Sequence, residues 1–192
     1  MVLQQASLLS GQPIVRFAAL THDLGKGITP KDQLPRHLQH ESKGLPLVKK
    51  LCKRLRVPKT WQQLALVVCE QHLNCHRALE LKPATVAKLL KKIDAYRNPE
   101  RLSQFLLACK ADARGRLGFE DVAYPQAKYL QQCFTACQNI GQKDVNAPES
   151  NMKSGMKYKL TIKAGLIFIF KLACLERLFS LKYLLTRRFS SL

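Results

Sequence analysis

Six stretches of this 192-residue chain repeat apolar residues at the spacing of one helix face. They span residues 13–22, 44–56, 60–73, 83–94, 100–113 and 124–138. A period near 3.6 places such residues on one side of a helix, so each stretch is expected to be an amphipathic helix. The segment Lys82-Pro83-Ala84-Thr85-Val86-Ala87-Lys88-Leu89-Leu90 shows the pattern well. Pro46, Pro58, Pro83, Pro99 and Pro125 punctuate the repeats. Each is expected in a first helical turn, where a missing N–H removes no bond. No alternating β-branched run points to a strand. With 46% apolar residues the chain can bury a core. The expectation is an all-α bundle with short loops over residues 1–142.

The composition changes after residue 142. Asn146-Ala147-Pro148-Glu149-Ser150-Asn151 is linker-like, and the apolar stretch Ile162–Leu175 follows. That stretch is too short to cross a bilayer as a helix, and Lys171 interrupts it. Residues 143–192 therefore form a divergent linker with a basic and apolar tail. Three readings stand for it: a helix on a membrane surface, a helix docked on the bundle, or sequence that is not native coding. Leu166-Ile167-Phe168-Ile169-Phe170 is prone to aggregate if exposed.

The chain carries 32 Lys+Arg against 13 Asp+Glu, a net +19. Of this, residues 1–142 hold +12 (22 against 10) and residues 143–192 hold +7 (10 against 3). Such an excess points to a polyanion, although charge alone does not separate RNA, DNA and anionic lipid. In Leu47–Arg56, the residues Lys49, Lys53 and Arg56 fall at i, i+4 and i+7, and are expected to track phosphates along one helix face. The seven cysteines are odd in number and contain no Cys-x-x-Cys pair. Cys133 and Cys137, four apart, are expected to share a buried helix face rather than bind zinc. Free thiols, and an N-terminus without a basic then apolar signal, place the expectation in the cytoplasm.

The chemistry is concentrated around His22-Asp23-Leu24-Gly25-Lys26-Gly27, directly after the apolar run Val15–Leu20. A histidine beside an aspartate offers an imidazole nitrogen and a carboxylate to a divalent ion. The Gly-Lys-Gly turn adds backbone freedom and a cation for a phosphate. A capped helix end carrying an ordinary His and Asp is the competing reading. Further candidates are His37 and His40, then His72 and His76 at i, i+4, and Asp112 with Arg114 and Arg116 beside it. His37 and His76 read equally well as surface or capping residues. Imidazoles and carboxylates together suit Mn, Co, Ni, Zn or Mg. Bound metal would lower the pKa of a water and polarise a phosphoryl oxygen. Lys26, Arg114 and Arg116 would neutralise the charge that develops.

Phe17-Ala18-Ala19-Leu20-Thr21-His22-Asp23-Leu24-Gly25-Lys26-Gly27 resembles the motif of the metal-dependent HD phosphohydrolases. More narrowly, residues 1–142 are similar to the C-terminal HD domain of bacterial CCA-adding tRNA nucleotidyltransferases. Leu34–Glu41, Leu51–Pro58, Ile93–Arg97 and Ala111–Glu120 carry that likeness. The resemblance implies a helical domain and a divalent metal (Ni, Mn, Co or Mg). It implies 2′,3′-cyclic phosphodiesterase, 2′-nucleotidase and phosphatase activity, with 2′,3′-cyclic nucleotides and the tRNA 3′ end as substrates. By motif, His22, Asp23 and Asp112 match metal-ligand positions, His40 is a further candidate ligand, and His72 matches a functional histidine. His22, Asp23 and His72 are then the catalytic set.

The chain departs from the family pattern in three ways. The family's first metal-ligand histidine would fall upstream of Met1-Val2-Leu3, and no Asp-x-Asp of a nucleotidyltransferase head occurs. The family's C-terminal segment is not recognisable after about residue 142. The expectation is a fragment with weakened catalysis and no CCA addition by this chain alone. A frameshift or split gene, with the head on a separate chain, would explain it. The alternative is a catalytically silent, basic tRNA-binding module. A membrane partner is not expected.

Overall fold

The computed structural model describes residues 1–139. The expected tail over 143–192, with its apolar stretch and Cys174, lies outside the described residues. Among those described, helices make up the fold and no strand occurs. The α-helices are α1 (Val2–Leu9), α2 (Pro13–Thr21), α3 (His40–Arg54), α4 (Lys59–His76), α5 (Pro83–Ile93), α6 (Pro99–Arg114) and α7 (Pro125–Asn139). Short 3-10 turns join them, the one that matters most being Leu24–Ile28.

The all-α expectation holds, and the reason is visible in α5. It buries Val86, Leu89, Leu90 and Ile93, one stripe at i, i+3, i+4 and i+7. Central α4 is different: it buries Leu64, Ala65, Val67, Val68, Cys69, Gln71, His72 and Cys75, just over half its girth. It packs against α2, α3 and α6, so side chains in its second half reach the middle of the molecule. The main core joins α1, α2 and α4 to α7 around Phe105, Leu64, Leu89 and Leu102. A smaller one, Val48, Cys52, Ala65 and Cys69, fastens α3 to α4. Cys133 and Cys137 are buried on α7, and all six described cysteines are free thiols.

The helix ends bring three corrections and two additions. Pro83, Pro99 and Pro125 do open helices, and Asn98 caps α6 by accepting the Arg101 N–H at 3.3 Å. Pro58 stands just before α4. Pro46, however, lies inside α3, because that helix begins at His40 rather than 44. Arg56 lies beyond α3 rather than on it. Its φ is 50°, with Arg56 N–H bonded to Lys53 O and Val57 N–H to Cys52 O, a Schellman termination. Lys49 and Lys53 remain exposed on the helix. Finally, α1 escapes the periodic reading because it is one short helix whose single fully buried residue is Ala6. None of the described helices is long and apolar enough to cross a membrane.

Candidate metal centre

Four helix ends aim the site. His22 caps the C-terminus of α2, and Asp23 follows it into the 3-10 turn. His40 is the first residue of α3, His72 and His76 lie on the last turns of α4, and Asp112 lies near the end of α6. The turn can reach α3 only because of two glycines. A Cβ on Gly25 would stand 1.9 Å from His40 O, and one on Gly44 would stand 2.7 Å from Cys69 Sγ. Gly25 therefore serves close backbone approach, which sets His40 beside Asp23. Gly27 meets nothing within 4 Å.

Each imidazole in the centre is oriented through its outer nitrogen. His22 Nδ1–H donates to Ala19 O at 2.7 Å, His40 Nδ1–H to His37 O at 2.9 Å, and His72 Nδ1–H to Val68 O and Cys69 O at 3.1 Å. Their Nε2 atoms then face inward. His22 Nε2 lies 3.1 Å from Asp23 Oδ2 and 3.3 Å from Asp112 Oδ1. Asp23 Oδ1 lies 3.2 Å from His40 Nε2 and 3.6 Å from His72 Nε2. His40 and His72 approach to 3.3 Å through Nε2. His76 braces the far side: its Nε2 meets Asp112 Oδ2 at 2.7 Å and its Nδ1 meets Tyr124 Oη at 2.9 Å.

The donor set fits a divalent ion. His22, Asp23 and His72 each offer one ligand atom, all within 4.8 Å of one another. Neighbouring ligands bound at about 2.1 Å stand roughly 3.0–3.4 Å apart, close to the separations here. His22 Nε2 and Asp23 Oδ1 are buried without a hydrogen-bond partner among the described residues. Both atoms sit among carboxylate and imidazole atoms at 3.1–3.6 Å without a well-formed hydrogen bond, and a cation between them would meet both at once.

The electrostatics agree. Burial alone would lower the His22 pKa, but the carboxylates of Asp112 and Asp23 outweigh it and raise it to about 10. Burial likewise works against ionisation of Asp23, yet His22 and Lys26 hold it below the usual carboxylate range. Asp112 is held down in the same sense by His22 and His76. His72 is pushed down to about 4 by burial and by the neighbouring His22, so its ring is neutral at pH 7.

The structure thus brings together His22, Asp23, His40, His72 and Asp112. His76, a sequence candidate that read equally well as a surface or capping residue, joins the cluster, and Tyr124 is the addition the sequence does not offer. The i, i+4 spacing of His72 and His76 marked the histidine, whereas nothing local marks Tyr124. His37 stands outside the cluster, bonded to Thr29 Oγ1 at 2.8 Å, and acts on it only through its carbonyl to His40. Lys26 Nζ is 2.5 Å from Asp23 Oδ2. Arg114 Nε–H donates to Val122 O at 3.0 Å, and Arg116 is exposed in the turn after α6. Lys49, Lys53 and Arg56 lie on the exposed surface of α3 and the turn that ends it.

Comparison with known proteins places the chain in a family. Residues 1–98 match the HD domain family. The chain is similar to the Multifunctional CCA protein of Shewanella frigidimarina and to that of Hahella chejuensis, each at 52% identity over 147 residues. Those matches cover 77% of this chain but only 36% and 35% of the two relatives. The chain therefore spans about a third of the length of the curated relatives it matches. No solved structure matches it significantly.

Proposed function

Because this chain belongs to the HD domain family, we propose that its histidine–aspartate cluster is a metal-dependent phosphohydrolase centre. Its substrate would be the phosphoester at an RNA 3′ end. One observation carries the reading: three imidazoles use Nδ1 on backbone carbonyls and turn Nε2 toward Asp23 and Asp112 at 3.1–3.6 Å. Side chains fixed in that way are prepared for an ion before it arrives.

His22, Asp23, His40 and Asp112 would hold the divalent ion, which is Ni, Mn, Co or Mg. When bound, it supplies Lewis-acid polarisation of the phosphoryl group and a water of lowered pKa. The chain's own residues do the rest. His72, neutral at pH 7, has an Nε2 lone pair able to take a proton. Asp112 is held in place by His76, and His76 by Tyr124. Lys26, 41% exposed at its side chain, offsets charge at the mouth of the cluster. Relatives named Multifunctional CCA protein make tRNA the natural RNA and repair of its 3′ end the natural use. Expected substrates are 2′,3′-cyclic phosphates, 2′-phosphates and simple monoesters.

The test is hydrolysis of 2′,3′-cyclic AMP by the full chain with added Ni²⁺, Mn²⁺ or Mg²⁺, beside the Asp23→Asn variant. Metal-dependent turnover that falls to background in the variant is expected. A folded protein that neither binds the ions nor turns over substrate would overturn the enzyme reading. A second reading, a silent tRNA-binding module, is favoured by the net +19 and by exposed Lys49 and Lys53. It predicts RNA binding that Asp23→Asn leaves intact while no turnover is seen in either protein.

A further inference from the structure

Away from the histidine–aspartate cluster, α3, α4, α5 and the start of α6 enclose an open cavity of about 490 Å³. It shares no residue with the cluster. Glu70 lines it and His72 lies in the metal centre, and two residues along a helix are about 200° apart around its axis. The cavity and the metal centre therefore open from different sides of α4.

Its lining is overfilled with positive charge. Lys49, Lys91, Lys92, Arg97 and Arg101 face two carboxylates, Glu70 and Asp94. Lys92 pairs with Glu70. Asp94 serves both arginines, with Arg97 Nε at 2.6 Å from Oδ1 and Arg101 Nη1 at 3.2 Å from Oδ2. Arg101 Nη2 also donates to Gln63 Oε1 at 2.9 Å. Asp94 holds this position because it terminates α5 in the left-handed region, φ 66°, with Ala95 N–H bonded to Leu90 O.

Two consequences follow. A guanidinium has five N–H donors; Arg101, 16% exposed at its side chain, commits two in these contacts and is held with donors to spare, while Arg97, 84% exposed, commits one and keeps four. Lys49 and Lys91 are exposed and form no ion pair among the described residues. One oriented fork, a second at the rim and two free ammonium groups suit successive phosphates, and Leu45, Leu66 and Val67 give sugars and base edges an apolar wall.

We propose that this cavity is a second site, one that binds the phosphodiester backbone of RNA and holds the strand while the metal centre works on its end. The proposal rests on RNA being the substrate class, and it fails or stands separately from catalysis. The regular spacing of charge along a nucleic acid, and the chain-wide +19, favour RNA over an acidic peptide through counterion release.

The full chain is titrated against a labelled RNA hairpin with a single-stranded 3′ tail, by fluorescence anisotropy across a salt series. Lys49→Glu with Lys91→Glu is compared with Lys59→Glu with Lys128→Glu, which makes the same charge change at exposed sites outside the cavity. The cavity pair should weaken RNA binding by about tenfold or more. It should also flatten the slope of log affinity against log salt by about 1.4, the value for two lost phosphate contacts on a single strand. The control pair should have a several-fold smaller effect on RNA binding and should hydrolyse 2′,3′-cyclic AMP as the parent does. Equal losses in the two pairs would reduce the effect to overall charge and overturn the site. So would no loss in either. Failed hydrolysis by the parent itself would count against the metal centre and leave the groove's result intact.

Discussion

Nε2 of His22 is the atom for which a proton and a metal ion compete, because Nδ1 is already committed to Ala19 O. Its pKa in the metal-free fold is raised from 6.5 to about 10. The ring is therefore protonated at neutral pH without metal, and metal must displace that proton. Calorimetry in buffers of different ionisation enthalpy should record close to one proton released per ion bound near pH 7.5, with affinity rising about tenfold per pH unit. No release would show that His22 is not a ligand. The sign for stability follows from the same shift. A raised pKa adds stability in full below pH 6.5 and loses it as pH rises through about 10, so metal-free protein should melt progressively lower over that window. Saturating metal should remove the fall. Tyr124 gives a second prediction. Its hydroxyl meets His76 Nδ1, and His76 holds Asp112, so Tyr124→Phe should weaken metal affinity by about tenfold while far-UV dichroism is unchanged. An unchanged affinity would mean that packing alone orients His76. His22 and Asp23 were legible as a pair from their adjacency, and His72 with His76 from helical spacing. Tyr124 was not, since it is 48 residues from the ring it touches.

At the scale of elements, the Gly-Lys-Gly turn shows where local reading stops. Sequence presents Gly25 and Gly27 as equivalent sources of backbone freedom beside a phosphate. In the fold their jobs differ, because only one of them meets another helix: a Cβ on Gly25 would reach 1.9 Å from His40 O, and one on Gly27 would meet nothing within 4 Å. Gly25→Ala should cost about 3 kcal/mol, from the overpacking of backbone on backbone, and should lower metal affinity by moving His40 from Asp23. Gly27→Ala should stay within about 0.5 kcal/mol of the parent. Thermal melts with metal titrations read both, and matched losses in the two variants would sink the assignment. The helices themselves were readable, as the stripe of α5 shows, because burial on one side leaves a periodic trace. Ends depended on neighbours. The start of α3 at His40, with Pro46 carried inside it, reflects packing on the Leu24–Ile28 turn. The Schellman ending after Arg54 took Arg56 off a face that spacing alone assigned to it.

For the whole molecule, the question is where the cooperative unit closes. α7 returns to the main core with Leu130, Cys133, Phe134 and Cys137, and these join helices at both ends of the described chain. At the other end, α1 lies on α6 so closely that a Cβ at Gly115 would stand 2.4 Å from Val2 Cγ2. The end of α6 carries Asp112, so packing of the first helix bears directly on a metal-site carboxylate. We propose that residues 1–142 fold as one unit around the centre and that residues 143–192 add charge rather than catalytic groups. A chain ending at 142 should then melt within about 3 °C of the full chain, because no residue of the described core is removed. It should hydrolyse 2′,3′-cyclic AMP at an unchanged rate. RNA binding should respond differently. Net charge falls from +19 to +12, so affinity at low salt should drop and its salt dependence should flatten. The two readouts separate the roles: lost hydrolysis on truncation would place the tail within the working domain, whereas unchanged RNA affinity would leave the bundle, with its charged cavity beside α4, as the sole source of binding.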